Sequence, residues 1–469
     1  MAAAVTADEW LLCAIPLFQR TMVSRKLYRG LFVAVLLLCA GVVGYAYATS
    51  ETASKMDTYR QQADVPFEER EQVVPSRDNV TVVAGHGMNG DAAALVAFSP
   101  DGRVLYYNDT HKGYEDVDPV PNTSTTVEYV AERPLSGARA SACDADCTMS
   151  VVERVNLTTG ELTRIHSRII PQDRGANWHD VDRLSEDRLL IGDIHRDGVY
   201  VVNTTTGITE WRWDALDDFP ITEGGPYPVD WAHLNDVERL PDGRYMASLR
   251  NQDQVVFLNE SGLMDDWTLG AEDDYDVLYE QHNPDYIPAD EGGPAVIVAD
   301  SLNDRLVEYQ RRDGEWVQTW AYSDREMLWP RDADRLPNGH TLVSDSNGNR
   351  VLELDEQGDV VWSIPFYSSY EAERLGTGDE SAGGPSAVAA NLTSDTDTVG
   401  KPGVYKRAAA AVLPRKTVSG IAFVIPMWAG FGELLAAIVA ALAVLVWAVL
   451  EFRWSSVSVD LDWPVRIQR

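Results

Sequence analysis

Lysine is almost missing from this chain. Only Lys26, Lys55, Lys112, Lys401, Lys406 and Lys416 occur in 469 residues, and arginine supplies the rest of the positive charge. Against 39 basic residues stand 73 acidic ones, for a net charge of −34. So acidic a surface repels nucleic acid and other polyanions, which are excluded as partners, and it suits a protein that stays soluble in high salt. Cysteine is also scarce, with four residues. Cys13 and Cys39 fall in or near the first apolar run, and Cys143 and Cys147 sit in CDADC. Outside the cell that pair is expected to close one short-loop disulfide. No second Cys/His pair has matching spacing, so no metal site is expected. The chain also lacks a phosphate loop, a Gly-x-Ser-x-Gly elbow and a dinucleotide fingerprint, and no cofactor is expected.

Long apolar runs are confined to the two ends. Gly30–Ala48 is long enough to span a bilayer. Arg20, Arg25, Lys26 and Arg29 precede it and acidic residues follow. By the positive-inside rule, residues 1–29 are cytoplasmic and the bulk of the chain is extracellular. Ala46-Tyr47-Ala48 also reads as a possible signal-peptidase site. Residues 418–451 form a second hydrophobic segment, with a span expected at about 434–450 and a cytoplasmic tail at 452–469. Residues 49–79 read as a polar stalk, and 367–417 as a polar linker. Seven Asn-X-Ser/Thr sequons lie between the runs, at Asn79, Asn108, Asn122, Asn156, Asn203, Asn259 and Asn391, as expected of a glycosylated extracellular domain.

Between the anchors the chain repeats itself. DWAHLNDVERLPDGRYMASLRNQDQVVFLNESG, from Asp230, reads as three short strands separated by a Pro-Asp-Gly turn and a polar RNQD turn. Similar stretches begin at Trp178, Gln281 and Trp329, and a weaker one at Ala94. Units near fifty residues with three or four strands describe β-propeller blades. The expected fold class is therefore all-β: a six-bladed propeller over residues 80–366, flanked by N- and C-terminal transmembrane helices, with seven blades as the alternative. Val80–Ala84 is expected to join the last blade and close the ring.

The repeat register aligns particular residues. His179 lies five before Leu184, His282 five before Ile287, and Arg331 five before Leu336. Asn235 takes that place before Leu240, and His233 lies two residues earlier, on the same strand face. The first strand of a propeller blade lines the central channel, so these residues should converge at one mouth. Arg250, at the other end of the hairpin that His233 opens, should be its neighbour. Imidazoles with guanidiniums, and no carboxylate at the same register, suit an anion better than a metal. His86 could reach the channel. His111, His166, His195 and His340 read as surface residues.

DWAHLNDVERLPDGRYMASLRNQ and EQHNPDYIP resemble segments of the arylsulfotransferase family, six-bladed propellers that work without a nucleotide sulfate donor. The chain resembles a haloarchaeal-like, membrane-anchored version of that family. It implies transfer of a sulfuryl group from an aryl sulfate ester to a phenolic acceptor through a sulfohistidine. His282 would be the nucleophile, His233 and Arg250 would hold the sulfuryl oxygens, and His179 would be a further polar partner. Asn235 and Arg331 are expected to contact substrate. DSNGNRVLELDEQG also resembles an NHL-type repeat, which keeps a non-catalytic, membrane-tethered binding propeller as the alternative.

Overall fold

The computed structural model describes residues 25–87, 93–141, 143, 147–171, 177–228, 230–378, 383–395 and 412–455. It divides into two compact units, Ser50–Trp428 and a terminal unit of Met1–Thr49 with Ala429–Arg469.

The terminal unit holds two helices, α1 (Arg25–Thr49) and, later in the chain, Phe431–Trp454. Both are long and apolar enough to cross a membrane. They pack on each other: the rings of Phe32 and Trp447 stack at 5.8 Å, and Arg29 pairs with Glu451.

The larger unit is a ring of six antiparallel sheets, five of them four-stranded. The inner strands of blades 2 to 6 are Gly113–Pro119, Trp178–Ser185, Leu234–Arg239, His282–Ile287 and Pro330–Arg335. The next strands follow outward in chain order. The hairpin inside blade 4 shows why the sequence folds this way: Gly243, at φ 89°, takes the left-handed turn position, and its N–H donates to Leu240 O. Apolar side chains of neighbouring blades then interdigitate, as with Leu234, Val237 and Ala247 against Val199 and Trp213.

Blade 1 closes the ring. Its inner strand, Ser369–Arg374, comes from the C-terminal side and pairs with Thr81–Gly85. Thr81–Gly85 is thus the second strand of the blade, and the segment read as a linker from residue 367 begins with a propeller strand. SYEAER looks too polar for a core strand. It is nevertheless buried throughout, because the inner strands face a channel of polar side chains. The region read as a stalk contains helix α2 (Glu51–Ala63), which packs onto this closure. Tyr59 is fully buried, meets the Phe98 ring at 4.9 Å, and donates its hydroxyl to Pro365 O. A third helix, α3 (Arg415–Val424), buries Val418 and Ser419 and also belongs to the propeller unit.

Cys143 and Cys147 are joined in a disulfide at the start of a blade 2 strand. Among the sequons, Asn108 is buried, with its amide directed at Tyr129 Oη, so it does not present its nitrogen for glycosylation. His111 is likewise buried, at 2.9 Å from Glu153, and is not a surface residue.

Candidate active site

Six inner strands repeat one four-residue pattern: Glu115-Asp-Val-Asp, His179-Asp-Val-Asp, Asn235-Asp-Val-Glu, His282-Asn-Pro-Asp, Arg331-Asp-Ala-Asp and Tyr370-Glu-Ala-Glu. The first residue of each is Glu115, His179, Asn235, His282, Arg331 or Tyr370, and together they form a polar ring at the mouth. In five blades that residue is a β-bulge. Glu115, His179, Asn235, Arg331 and Tyr370 are each skipped in the strand pairing. In blade 5 the bulge follows His282, at Asn283 and Pro284. A bulge re-aims a side chain, here letting two consecutive residues face the channel.

Two residues before the ring lies a second repeated feature. His233, Glu280, Trp329 and Ser368 all have left-handed backbones, with φ of 49°, 46°, 53° and 48°. Such a conformation is costly for bulky residues and persists only where surroundings enforce it. At the first three of these sites the neighbouring blade does so through an aspartate of its second turn. Asp197 accepts from Ala232 N at 2.9 Å, Asp253 from Glu280 N at 2.8 Å, and Asp304 from Trp329 N at 3.0 Å. The Asx-type turns thereby hold the mouth of the channel.

The aligned histidines meet there. The His179 ring lies 5.6 Å from His233 and 5.5 Å from Tyr370, and Tyr370 lies 6.2 Å from His282. Arg331 sits over the Tyr370 ring at 4.6 Å. Arg250 adjoins His233: its N–H donates to His233 O, and both side chains reach Asp230. His86 joins the cluster through Glu115, at 2.7 Å. Asn235 is placed differently from a substrate contact. It is fully buried and donates to Gln281 O, which steadies the backbone just before His282.

The contacts of His282 favour one arrangement of protons. Its Nδ1 lies 2.8 Å from Ser301 Oγ, and that hydroxyl spends its hydrogen on Pro330 O at 2.7 Å or Ala299 O at 3.2 Å. Ser301 must therefore accept, so Nδ1 carries the proton and Nε2 keeps its lone pair. Burial first, then the cations Arg331 and Arg250, push the His282 pKa well below its ordinary value, and the imidazole is neutral. Burial also lowers His179, to about 3, and His233, where Arg250 adds to the effect and Asp230 opposes it. Burial raises carboxylates, yet His86, His179 and Arg331 hold Glu115 at about 2.

The same mouth is rich in donors without acceptors. Nε and Nη1 of Arg331 and the Tyr370 hydroxyl are buried and make no hydrogen bond. A buried unpaired guanidinium is costly unless something anionic meets it, and its fork matches a tetrahedral oxyanion. Over this side lies α3, whose Phe423 stacks on Trp329 at 6.0 Å while Lys416 pairs with Glu280.

Below the ring the channel is lined by carboxylates, and Glu115 stands in the ring itself, which corrects the expectation of no carboxylate at that register. Asp116 accepts from Val181 N, Asp180 from Val237 N, Asp332 from Ala372 N and Glu371 from Val117 N. Each caps an N–H on the free inner edge of the next blade. Burial, and then crowding by neighbouring carboxylates, raises Asp116, Asp236 and Glu371 well above the usual carboxylate range. The histidine and arginine alignment was readable in the sequence; Glu115, Tyr370, Asp230 and Ser301 were missed. The repeated acidic-x-acidic triplet would have revealed the first two, since the ring residue always precedes it.

A family model described as Arylsulfotransferase (ASST) matches residues 190–291. That stretch contains His233, Asn235, Arg250 and His282, and the match suggests sulfuryl transfer. No curated protein matches the chain. Similar solved structures include a protein of unknown function from Bacteroides caccae, at 12% identity and TM-score 0.45, covering 63% of this chain and 97% of that one. Another is the periplasmic gluconolactonase PpgL of Pseudomonas aeruginosa, at 13% identity and TM-score 0.40, covering 64% of this chain and all of that one (100%).

Proposed function

We propose that this protein is a membrane-tethered aryl-sulfate sulfotransferase that works through a sulfohistidine on His282. The observation that carries the reading is the Ser301 contact: a buried, neutral imidazole with its proton fixed on Nδ1 faces a mouth of unpaired cationic and hydroxyl donors. In the first step the Nε2 lone pair forms a bond to sulfur, and the S–O bond to the aryl group breaks with its electron pair leaving on the phenolate oxygen. Arg331 and Arg250 stabilise the sulfuryl oxygens, which carry spread charge in such a transfer. Tyr370 donates a hydrogen bond to the departing oxygen. In the second step the acceptor phenol attacks sulfur, the N–S bond breaks, and the pair returns to Nε2.

His233 suits the proton work better than His179. Its Nδ1 is held by Asp230, leaving Nε2 to take the acceptor's phenolic proton and to release it to the next leaving phenolate. His179 makes no hydrogen bond through Nδ1 and is a wall of the site. The basic residues at the start of α1, Arg25, Lys26 and Arg29, support a propeller on the outer side of the membrane, and the exposed sequons Asn122 and Asn391 are open to glycosylation there. Its acidic, lysine-poor surface fits a salty medium. His282→Ala, assayed with an aryl sulfate and a phenol, should abolish turnover while the protein still folds. Full turnover in that variant would end this reading. A purely binding propeller is less favoured, since binding needs no fixed tautomer on His282.

A further inference from the structure

One blade breaks the six-fold carboxylate pattern, and it breaks it twice. In four blades a channel carboxylate accepts the N–H of the residue in the middle of the next acidic triplet. Asp236 should accept from residue 284 in the same way. Residue 284 is proline and has no N–H to give. Accordingly Asp236 Oδ2 has no hydrogen-bond partner, although Asp236 is only 4% exposed. The second break is Asn283, the one neutral residue at its level. Its Nδ2 donates to Glu371 Oε2 at 3.3 Å, which turns its Oδ1 the other way, buried and also without a partner. Asp285, 3% exposed, completes the group.

These three side chains line one cavity in the channel, and no lysine, arginine or histidine lines it among the described residues. Asp236 meets Asp180 and Asp285 meets the Arg335 backbone, which leaves Asp236 Oδ2 and Asn283 Oδ1 as the oxygens without a donor. Buried oxygens without a donor are costly. We propose that the channel binds one hard divalent cation, of the Ca²⁺ class, on Asp236, Asn283 and Asp285. Carboxylate and amide oxygens with no sulfur or imidazole among them match that class and not zinc or copper. Asp116, Asp118 and Glu371, whose ligand atoms lie within 4.8 Å of one another, already receive N–H donors from Val181 and Val117, which makes them the weaker site. Asn283 directly follows His282 and has a left-handed backbone at φ 27°. A cation on its side chain would hold the main chain that carries the nucleophile, without touching the substrate.

The test uses the full-length protein in detergent, stripped with EDTA, desalted, and titrated with Ca²⁺ and in parallel with Mg²⁺. Bound metal is measured by elemental analysis and affinity by calorimetry. The expected result is one Ca²⁺ per chain, with binding at least about tenfold weaker in Asp236→Asn. Pro284→Ala gives the sharper comparison: it keeps every carboxylate but restores the missing N–H to Asp236, and it should also weaken Ca²⁺. A wild-type protein that takes up neither ion at millimolar concentration overturns the proposal. So does Asp236→Asn binding with wild-type affinity. Should a variant misfold, the wild-type titration alone decides.

Discussion

Removing the Ser301 hydroxyl, which does not touch the substrate, should disable the histidine that does. Ser301 and His282 are both buried, and Nδ1 to Oγ is 2.8 Å. In Ser301→Ala the Nδ1–H loses its acceptor, and leaving a buried donor unpaired costs about 1–3 kcal/mol. The imidazole can escape by moving its proton to Nε2, and Nε2–H has no lone pair for sulfur. The productive tautomer then falls by about 5- to 150-fold, since 1.4 kcal/mol is a factor of ten. Initial rates with 4-nitrophenyl sulfate and a phenolic acceptor read this directly. The fall should appear in kcat, with KM little changed, because Ser301 lies behind the ring and not in the mouth. A Ser301→Ala enzyme within twofold of wild type would refute the tautomer argument. So would a change confined to KM.

The remaining predictions concern the donors, the fold and pH. Arg331→Leu should lower kcat by about 10²–10³, the usual loss for one oxyanion donor, measured in the same assay. Arg331→Lys should recover little, because a point charge does not reproduce the fork. Tyr59→Ala should cost about 3–5 kcal/mol in denaturant unfolding, as a fully buried aromatic does, if α2 belongs to the propeller; a loss below 1 kcal/mol would make α2 an independent stalk. Glu115 is depressed to about 2 in the folded state from an ordinary 4.5, so its contribution to stability is present above pH 4.5 and fades as pH falls toward 2. Glu115→Gln should flatten the stability profile in that window. An unchanged acid slope there would show that the contacts of Glu115 with His86 and His179 are not felt.

Much of this site could be read from repeats, and what escaped reading has physical causes. The register of His179, His282 and Arg331 survives in sequence because each begins an inner strand, and equivalent strands converge on the axis. The His233–Arg250 contact followed from hairpin topology. Tyr370 and Ser369–Arg374 escaped because SYEAER has no apolar alternation and lies beyond the last obvious repeat. Its two glutamates, of which Glu371 caps the edge of the next blade, make an inner strand look like a solvated loop. Ser301 escaped for a different reason. It lies in the short helical turn after a strand of blade 5, and only three-dimensional closure brings its hydroxyl under His282. The carboxylate layer was in plain view as acidic-x-acidic triplets. Its meaning depended on knowing that the channel edge leaves backbone N–H groups to be capped.

The most direct test of the whole account is the covalent intermediate. Protein mixed with an aryl sulfate and no acceptor is quenched, digested under alkaline conditions and analysed by mass spectrometry. One sulfuryl group should appear on the peptide that contains His282, disappear when a phenol is added, and be absent from His282→Asn. Turnover without any adduct, or an adduct on His179 or His233 instead, would contradict the account.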